Sequence, residues 1–133
     1  MLDHPHIVAY YGFENNATMY DVNGHETQVG YIVQELLTGG DLFDHVNTHS
    51  FSEDVCRYIF KQTLQAVNYI HCKGFAHRDL KPDNIMFNQN YDVKIVDFGF
   101  TCPLEGPLGI GTFKGITGTR GYMAPEIVAN EQW

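Results

Sequence analysis

The sequence predicts one α+β domain, and three features of its 133 residues support this prediction. Two β-rich runs, at residues 7–13 and 29–36, flank a polar stretch at 14–28 that contains good turn formers. We expect them to form a hairpin with a long connection. One long amphipathic helix is predicted at 53–73, and short extended pieces with a glycine-rich loop make up most of the remainder.

The long predicted helix has clear start and stop signals. Ser52 is a good N-cap, and Gly74 can adopt the left-handed conformation that ends a helix. Apolar side chains recur every three to five residues and form one stripe, which comprises Val55, Ile59, Leu64, Val67 and Ile70. A helix with one apolar face must pack that face on other elements.

A shorter helix is expected to begin after Asp41 as its cap and to end near Val46. Its apolar side chains Leu42, Phe43 and Val46 should face inward.

After Gly74, extended pieces are predicted at 75–76, 85–87 and 93–96, with a turn at 88–90 between the last two. Residues 97–125 are rich in glycine and show little periodicity. Loops of this length in compact domains are usually functional.

Charge and composition exclude several classes of partner. The chain has 16 acidic against 8 basic residues and a net charge of −8, so nucleic acid and anionic lipid are poor partners. No apolar run reaches the ~18 residues of a membrane span, and the first residues show no basic region followed by an apolar stretch. A cytoplasmic location is therefore expected. Cys56, Cys72 and Cys102 lack metal or disulfide spacing and are predicted to be reduced packing residues.

The residues that carry chemistry lie in three segments. These are His-Arg-Asp-Leu-Lys-Pro-Asp-Asn at 77–84, Asp-Phe-Gly at 97–99 and Ala-Pro-Glu at 124–126. Phosphoryl transfer needs one carboxylate to accept a hydroxyl proton, and an amide and a second carboxylate to hold magnesium. Asp79, Asn84 and Asp97 supply these groups. Lys81 adds positive charge where the transferring phosphate develops negative charge.

These segments resemble the catalytic loop, magnesium loop and substrate-loop end of eukaryotic-type serine/threonine protein kinases. The seven fixed residues of the first segment would recur by chance at about one in 10⁹ positions. The resemblance implies a partial kinase fold: the end of the small lobe at 1–34, a hinge at 35–40, and the start of the helical large lobe at 41–133. Residues 39–43 also resemble calmodulin-dependent-type kinases.

Catalytic roles follow from this resemblance residue by residue. Asp79 matches the catalytic base and Lys81 the γ-phosphate contact, a lysine that tyrosine kinases usually lack. Asn84 and Asp97 match the two magnesium ligands. The implied cofactors are ATP and Mg²⁺.

The resemblance also implies a nucleotide site. Glu35 and Leu37 match the hinge positions that offer backbone hydrogen bonds to adenine, with Gln34 as the gatekeeper beside them. Met86 matches the floor of the adenine pocket, and Asp41 the ribose contact.

Two further residues would organise the loops. Thr119 matches the residue that bonds to the catalytic aspartate and lysine, and Arg78 matches the arginine that pairs with an activation-loop phosphate. Thr112 and Thr117 are candidate phosphate acceptors, although Gly115 occupies the usual position. Ordinary loop threonines without a switch are the alternative.

The expected protein substrate is a serine in a basic peptide. Asp41 and Asp83 match acidic positions that bind basic residues of the substrate. Phe100, just after Gly99, resembles the bulky residue associated with a preference for serine over threonine. His77 and Phe98 match core positions, so packing is their expected role. His45 and His49 have a zinc-compatible spacing, but surface histidines explain them better.

Other parts that kinase chemistry uses were not found in the 133 residues: a glycine-rich phosphate lid, a strand lysine and the helix glutamate that pairs with it. We therefore expect a fragment of a longer kinase, with partly exposed apolar faces and little activity by itself.

Two alternatives stay open. One is a non-catalytic, kinase-derived binding module, against which the intact Asp79, Asn84 and Asp97 argue. The other, more remote, is a metal hydrolase that uses Asp79, His77 and Asp97.

Overall fold

The computed structural model describes residues 2–105 and 116–129, and within these ranges the predicted α+β class is confirmed. The elements in chain order are β1 (Tyr10–Tyr20), β2 (Glu26–Gln34), α1 (Leu42–Thr48), α2 (Glu53–Cys72), β3 (Phe75–Ala76), a 3-10 turn (Pro82–Asn84), β4 (Ile85–Phe87), β5 (Val93–Ile95), β6 (Cys102–Pro103) and α3 (Pro125–Val128). The strands pair antiparallel as β1 with β2, β3 with β6, and β4 with β5.

The β1–β2 hairpin is longer than the sequence suggested, and the prediction of a long connection is wrong. Both strands continue through the polar stretch, because a register shift between Glu14 and Ala17 accommodates the extra residues. The chain reverses only at residues 21–25. There the Asp21 carboxylate accepts the backbone N–H groups of Asn23 and His25 at 2.8 and 2.9 Å.

Helix α2 begins where the sequence predicted, with the Ser52 hydroxyl accepting the Val55 N–H, and it ends at Cys72, one residue early. Its buried residues are Ile59, Gln62, Ala66 and Ile70. Val55 and Leu64 are 42% and 50% exposed, so the predicted stripe is wrong at those positions. Neither α2 nor any other helix within the described ranges is both long and apolar enough to cross a bilayer.

Helix α1 confirms the predicted cap but extends beyond Val46. The Asp41 carboxylate accepts the Asp44 N–H at 2.8 Å. Leu42 packs toward the core, whereas Phe43 and Val46 are 41% and 46% exposed, so their predicted inward orientation is wrong. A helix of seven residues has one narrow inner face, and Leu42 shares it with the partly buried His45 three positions on.

The core consists of two apolar clusters between α2 and the β4–β5 hairpin. One contains Ile7, Ala66, Ile70 and Ile95, and the other contains Ile59, Ile85, Phe87 and Val93. The N-terminal segment pairs in parallel beside β5, since Val8 N–H donates to the Ile95 carbonyl and Ile95 N–H to the His6 carbonyl, at 3.0 and 2.9 Å. The β4–β5 hairpin therefore holds the N-terminal segment in place.

The segment after Ile95 carries one strand that the sequence analysis missed. The two-residue β6 pairs with β3, which places Ala76 opposite Cys102. Cys102 is buried, but Cys56 and Cys72 are exposed on α2, and their predicted packing role is wrong. All three cysteines are free thiols.

Gly39 lies where the chain passes from the hairpin to α1, in close contact with β4. Its N–H donates to the Phe87 carbonyl, and Phe87 N–H returns a bond to Gly40, both at 2.9 Å. A Cβ on Gly39 would stand 2.7 Å from the Asn88 carbonyl oxygen and from the Phe87 Cβ. Only glycine permits this approach without a backbone shift.

Gly39→Ala should therefore lower the free energy of unfolding by about 1–3 kcal/mol, because the new methyl meets main-chain atoms that cannot rotate away. Urea denaturation followed by circular dichroism measures the loss. Gly12→Ala is the matched control, since a Cβ at Gly12 meets nothing within 4 Å. Equal stability of the two variants would contradict the packing argument.

Candidate active site

His77 anchors the loop between β3 and the 3-10 turn. The side chain is 3% exposed, its Nε2 donates to the Val96 carbonyl at 2.9 Å, and its Nδ1 accepts the Asp79 N–H at 3.3 Å. Its ring meets Phe98 edge-on, with centroids 5.0 Å apart. Both residues thus pack in the interior, and the imidazole fixes the backbone from which Asp79 projects.

Asp79 is 5% exposed, and three side chains surround its carboxylate. The Thr119 hydroxyl donates to Oδ1 at 2.8 Å, Asn84 Nδ2 donates to Oδ2 at 3.0 Å, and Lys81 Nζ lies 3.4 Å from Oδ2. Lys81 Nζ also donates to Thr119 Oγ1 at 2.8 Å. The structure therefore places Thr119 between the aspartate and the lysine, which is the arrangement that the resemblance implies.

Gly118 allows Thr119 to reach this position. Its φ is +114°, and a Cβ there would lie 2.8 Å from the Arg78 carbonyl oxygen. The loop that carries Thr119 can therefore approach the Asp79 loop closely only through glycine.

The surroundings of Asp79 favour its charged form. Burial alone raises the pKa of Asp79, but the Thr119 hydroxyl bond and the Lys81 ammonium outweigh it and hold the pKa below its ordinary value of 3.8. The carboxylate is therefore ionised at neutral pH and oriented by donors on both oxygens.

Asn84 and Asp97 lie on adjacent main-chain segments. Asn84 is 6% exposed, and its carbonyl accepts the N–H of Val96, the residue before Asp97. Asp97 is exposed, has a φ of +57°, and accepts the Gly99 N–H at 3.1 Å. A left-handed conformation at a non-glycine residue is uncommon, and it turns Asp97 out of the strand direction.

The donor set of these two residues fits a hard cation. The amide nitrogen of Asn84 is used by Asp79, with bonds to Oδ2 and to the main-chain carbonyl at 3.0 and 2.8 Å, which leaves its oxygen as the coordinating end. One amide oxygen and one carboxylate suit Mg²⁺, which keeps several waters and takes few protein ligands. Within the described ranges, no group of three or more His, Cys, Asp or Glu side chains could hold a metal.

A large cavity of about 1300 Å³ lies between β2 and the β4–β5 hairpin. Five residues predicted for the nucleotide site line it: Gln34, Glu35, Leu37, Met86 and Asp97. Asp41, Asp79, Lys81 and Asn84 are not among its lining residues in the described part of the chain. The cavity also extends past Phe98 to Leu2 and Phe75, beyond the residues predicted for the nucleotide site.

Asp41 nevertheless lies at the edge of this cavity, because it forms an isolated antiparallel bridge with Met86. Its Oδ1 is used as the cap of α1. A ribose contact would therefore use its other carboxylate oxygen.

Arg78 has a φ of +67°, and its Nε donates to the Phe100 carbonyl at 2.6 Å. The bond joins the loop of Asp79 to the segment after Asp97. Of the threonines considered as phosphate acceptors, Thr117 is partly buried, whereas Thr112, like Gly115, lies outside the described residues.

The two histidines with zinc-compatible spacing lie at the end of α1 and make contacts within the fold. His45 Nε2 lies 2.7 Å from the Gly39 carbonyl oxygen, to which it donates, and its ring meets Phe87 edge-on at 5.3 Å. His49 is exposed and lies beside the Thr48 hydroxyl at 2.7 Å. His45 is therefore partly buried and bonded within the fold, and only His49 is the surface histidine that the sequence predicted.

Sequence reasoning missed an ion pair beneath the cavity, between Lys94 of β5 and Glu35 at the end of β2, with an N–O distance of 2.8 Å. The available signal was a lysine between the buried Val93 and Ile95 in a three-residue strand. A charge in the middle of such a strand predicts a nearby partner. Its identity could not be read from the sequence, because the two residues are 59 positions apart.

The geometry of this centre can be compared with known proteins. A family model described as the protein kinase domain matches residues 1–133. The chain belongs to this family. The kinase-like fold that the sequence predicted is thereby confirmed, and the strands, hairpin and helices described above are a part of it.

Individual relatives agree with this assignment. CBL-interacting serine/threonine-protein kinase 20 of Arabidopsis thaliana is 34% identical over 131 residues, covering 98% of this chain and 28% of that protein. Serine/threonine-protein kinase RAD53 of Saccharomyces cerevisiae is 43% identical over 96% of this chain and 14% of its own length. Probable serine/threonine-protein kinase fhkC of Dictyostelium discoideum is 47% identical over 77% of this chain and 18% of its own length. The chain thus spans less than a third of the length of these serine/threonine kinases.

Thr119→Val should raise the pKa of Asp79, because it removes the largest contribution that opposes burial. Because the pKa of Asp79 is lower in the folded than in the unfolded chain, its ionisation stabilises the fold at pH values above the unfolded pKa. This stabilisation is lost as the pH falls through the pKa of the folded state. The variant should therefore lose stability relative to the wild type at neutral pH, and this difference should shrink on acidification below about pH 4.

Carboxyl ¹³C NMR titration of Asp79, with urea denaturation at several pH values, measures both effects. Thr117→Val is the matched control, since it alters a nearby threonine that has no bond to Asp79. An unchanged Asp79 titration in Thr119→Val would show that the hydroxyl does not govern this carboxylate.

Proposed function

We propose that the protein is a serine/threonine kinase that transfers the γ-phosphate of ATP to a protein hydroxyl. The observation that carries this proposal is the ionised, nearly buried Asp79 carboxylate, held by Thr119, Lys81 and Asn84. Family membership supports the reaction class. Phosphoryl transfer depends chiefly on positioning and electrostatics, and this cluster supplies both.

In the proposed reaction, Asp79 accepts a hydrogen bond from the substrate hydroxyl and takes its proton. The hydroxyl oxygen then bonds to the γ-phosphorus as the bond to the ADP oxygen breaks. Lys81 is close enough to the carboxylate to place its ammonium beside the transferring phosphoryl group. Magnesium, when bound at Asn84 and Asp97, would neutralise phosphate charge.

Hydrogen-bonding groups near the hinge support an adenine site. The Glu35 N–H is already used by the Ala9 carbonyl at 2.9 Å, so the residue offers adenine only its carbonyl oxygen. Leu37, two positions on, also lines the cavity and can present both its N–H and its carbonyl. Met86 lies across the same cavity as an apolar floor. On this proposal residues 1–34 end the small lobe, 35–40 form the hinge, and 41–133 begin the large lobe.

Asp79→Asn should lower the rate of peptide phosphorylation by about 10²–10⁴-fold, because the amide cannot accept the hydroxyl proton. A radiometric assay with Mg-ATP measures it in the complete protein that the gene encodes. Asp54→Asn, an exposed change on α2, is the control that should keep full activity. Undiminished phosphorylation by Asp79→Asn would remove Asp79 from the mechanism.

The 133-residue chain by itself should show little activity, because a glycine-rich run and a strand lysine were not found in it.

The missing phosphate lid also supports a second candidate, a kinase-derived module that binds nucleotide or partners without turnover. It would bind Mg-ATP and leave peptides unmodified in the assay above. The metal-hydrolase alternative fits poorly, because both nitrogens of His77 are engaged with the backbone and the ring is buried.

The proposed substrate is a serine flanked by basic residues, and the proposed location is the cytoplasm. A net charge of −8 favours cationic peptides over nucleic acid and anionic membranes. Asp83 is exposed beside the Asp79 loop and is available to such a peptide. Asp41 is less available, since one of its oxygens caps α1.

Asp83→Asn should raise the KM of the complete protein for an arginine-containing serine peptide several-fold at low salt, through the loss of one ion pair. The KM for a neutral peptide should not change, and Asp54→Asn should affect neither value. Peptide kinetics at two ionic strengths measure these constants. A preference for acidic flanks or for threonine would contradict the proposed substrate class.

A further inference from the structure

The Glu35–Lys94 ion pair is largely buried. Its side chains are 21% and 11% exposed, and Lys94 Nζ is 2.8 Å from Glu35 Oε2. The same oxygen accepts the Ala9 N–H at 3.1 Å. One carboxylate oxygen therefore joins three chain segments: the N-terminal segment at Ala9, the chain just after β2 at Glu35, and β5 at Lys94.

Both ends of this pair are linked to residues that line the cavity. Glu35 begins the hinge, and its own main chain is bonded to Ala9. Lys94 is the direct cross-strand partner of Met86 in the β4–β5 hairpin. The ion pair thus connects Glu35, which the sequence predicts to contact adenine, with the cross-strand partner of Met86, the predicted floor of the adenine pocket.

Stability alone does not explain a charge pair at this position. Desolvating two charges offsets much of their attraction, and apolar replacements of similar size are often equally stable. The best attested use of such a pair is to select one arrangement of the segments that it joins. Here those segments are the two sides of the proposed nucleotide site.

We propose that Lys94 is a positioning residue that holds the Glu35 carbonyl at the distance and orientation required by adenine. This inference rests on the proposed nucleotide-binding function. Lys94 touches no substrate itself; it acts through Glu35 and through its pairing with Met86.

Base selectivity distinguishes positioning from a general role in folding. The Glu35 carbonyl is an acceptor that suits the exocyclic amino group of adenine, and it repels the carbonyl oxygen that guanine carries at the same place. A fixed acceptor discriminates strongly between these bases, because the wrong base leaves polar groups unpaired. An acceptor free to move discriminates less.

The test compares Mg-ATP and Mg-GTP binding to the complete protein that the gene encodes by isothermal titration calorimetry. Lys94→Met should weaken ATP binding about 10-fold and leave GTP binding nearly unchanged, so the GTP-to-ATP ratio of Kd values falls about 10-fold. Lys94→Arg, which keeps the charge, should restore most of the wild-type ratio. Lys61→Met, on the exposed surface of α2, is the matched control and should change neither constant.

Thermal melting by circular dichroism accompanies each measurement. If Lys94→Met does not fold, Glu35→Gln replaces it, because that change removes the charge with almost the same shape, and the same fall in ratio is expected. A folded variant that keeps the wild-type ratio would overturn the positioning role while leaving the proposed function intact. A complete wild-type protein that binds neither nucleotide would overturn both.

Discussion

A nearly buried negative charge is the constraint on which the arrangement of the candidate site depends. The Asp79 carboxylate can remain ionised away from water only if donors surround it, since an unpaired buried charge costs several kcal/mol. Those donors come from three places in the chain: Lys81 in the same loop, Asn84 in the following turn, and Thr119, which is 40 positions away. The need to satisfy one carboxylate therefore draws the later loop onto the earlier one.

The β4–β5 hairpin is the rigid element that carries this arrangement. Its apolar side chains fill both core clusters, and its ends connect directly to Asn84 on one side and to Asp97 on the other. Main-chain bonds between Gly39 and Phe87, and between Ile95 and residues 6 and 8, attach the chain before α1 and the N-terminal segment to the same hairpin. The left-handed Asp97 thus lies close to a well-packed element, which is how natural sites keep their geometry.

Local sequence signals predicted the elements well where a side chain acts on its immediate neighbours. Ser52 and Asp41 started the two helices as expected, and the short strands around the 88–90 turn were correctly placed. The motif residues predicted where chemistry should reside, and the structure brings Asp79, Asn84 and Thr119 together. The exposed positions of α1 and α2 were mispredicted, because periodicity does not reveal how narrow a contact face is.

Long-range and competing interactions were beyond the reach of the sequence. Within the polar stretch, either Asn15-Asn16 or Asn23-Gly24 could have reversed the hairpin, and the chain turns at the second pair, where Asp21 accepts the N–H groups of Asn23 and His25. The partner of Lys94 and the close approach at Gly39 both involve residues far apart in the chain. Such contacts arise from tertiary packing, which local patterns do not encode.

The long β1–β2 hairpin has a consequence for how the chain behaves among its own copies. Within the described ranges it is a two-stranded sheet, so each strand has an outer edge whose amide and carbonyl groups lack a neighbouring strand. Aromatic and branched side chains such as Tyr11, Phe13 and Ile32 remain more than 60% exposed along it. Such edges are templates for main-chain pairing between molecules, and two register shifts, at residues 10–12 and 14–17, interrupt their continuity.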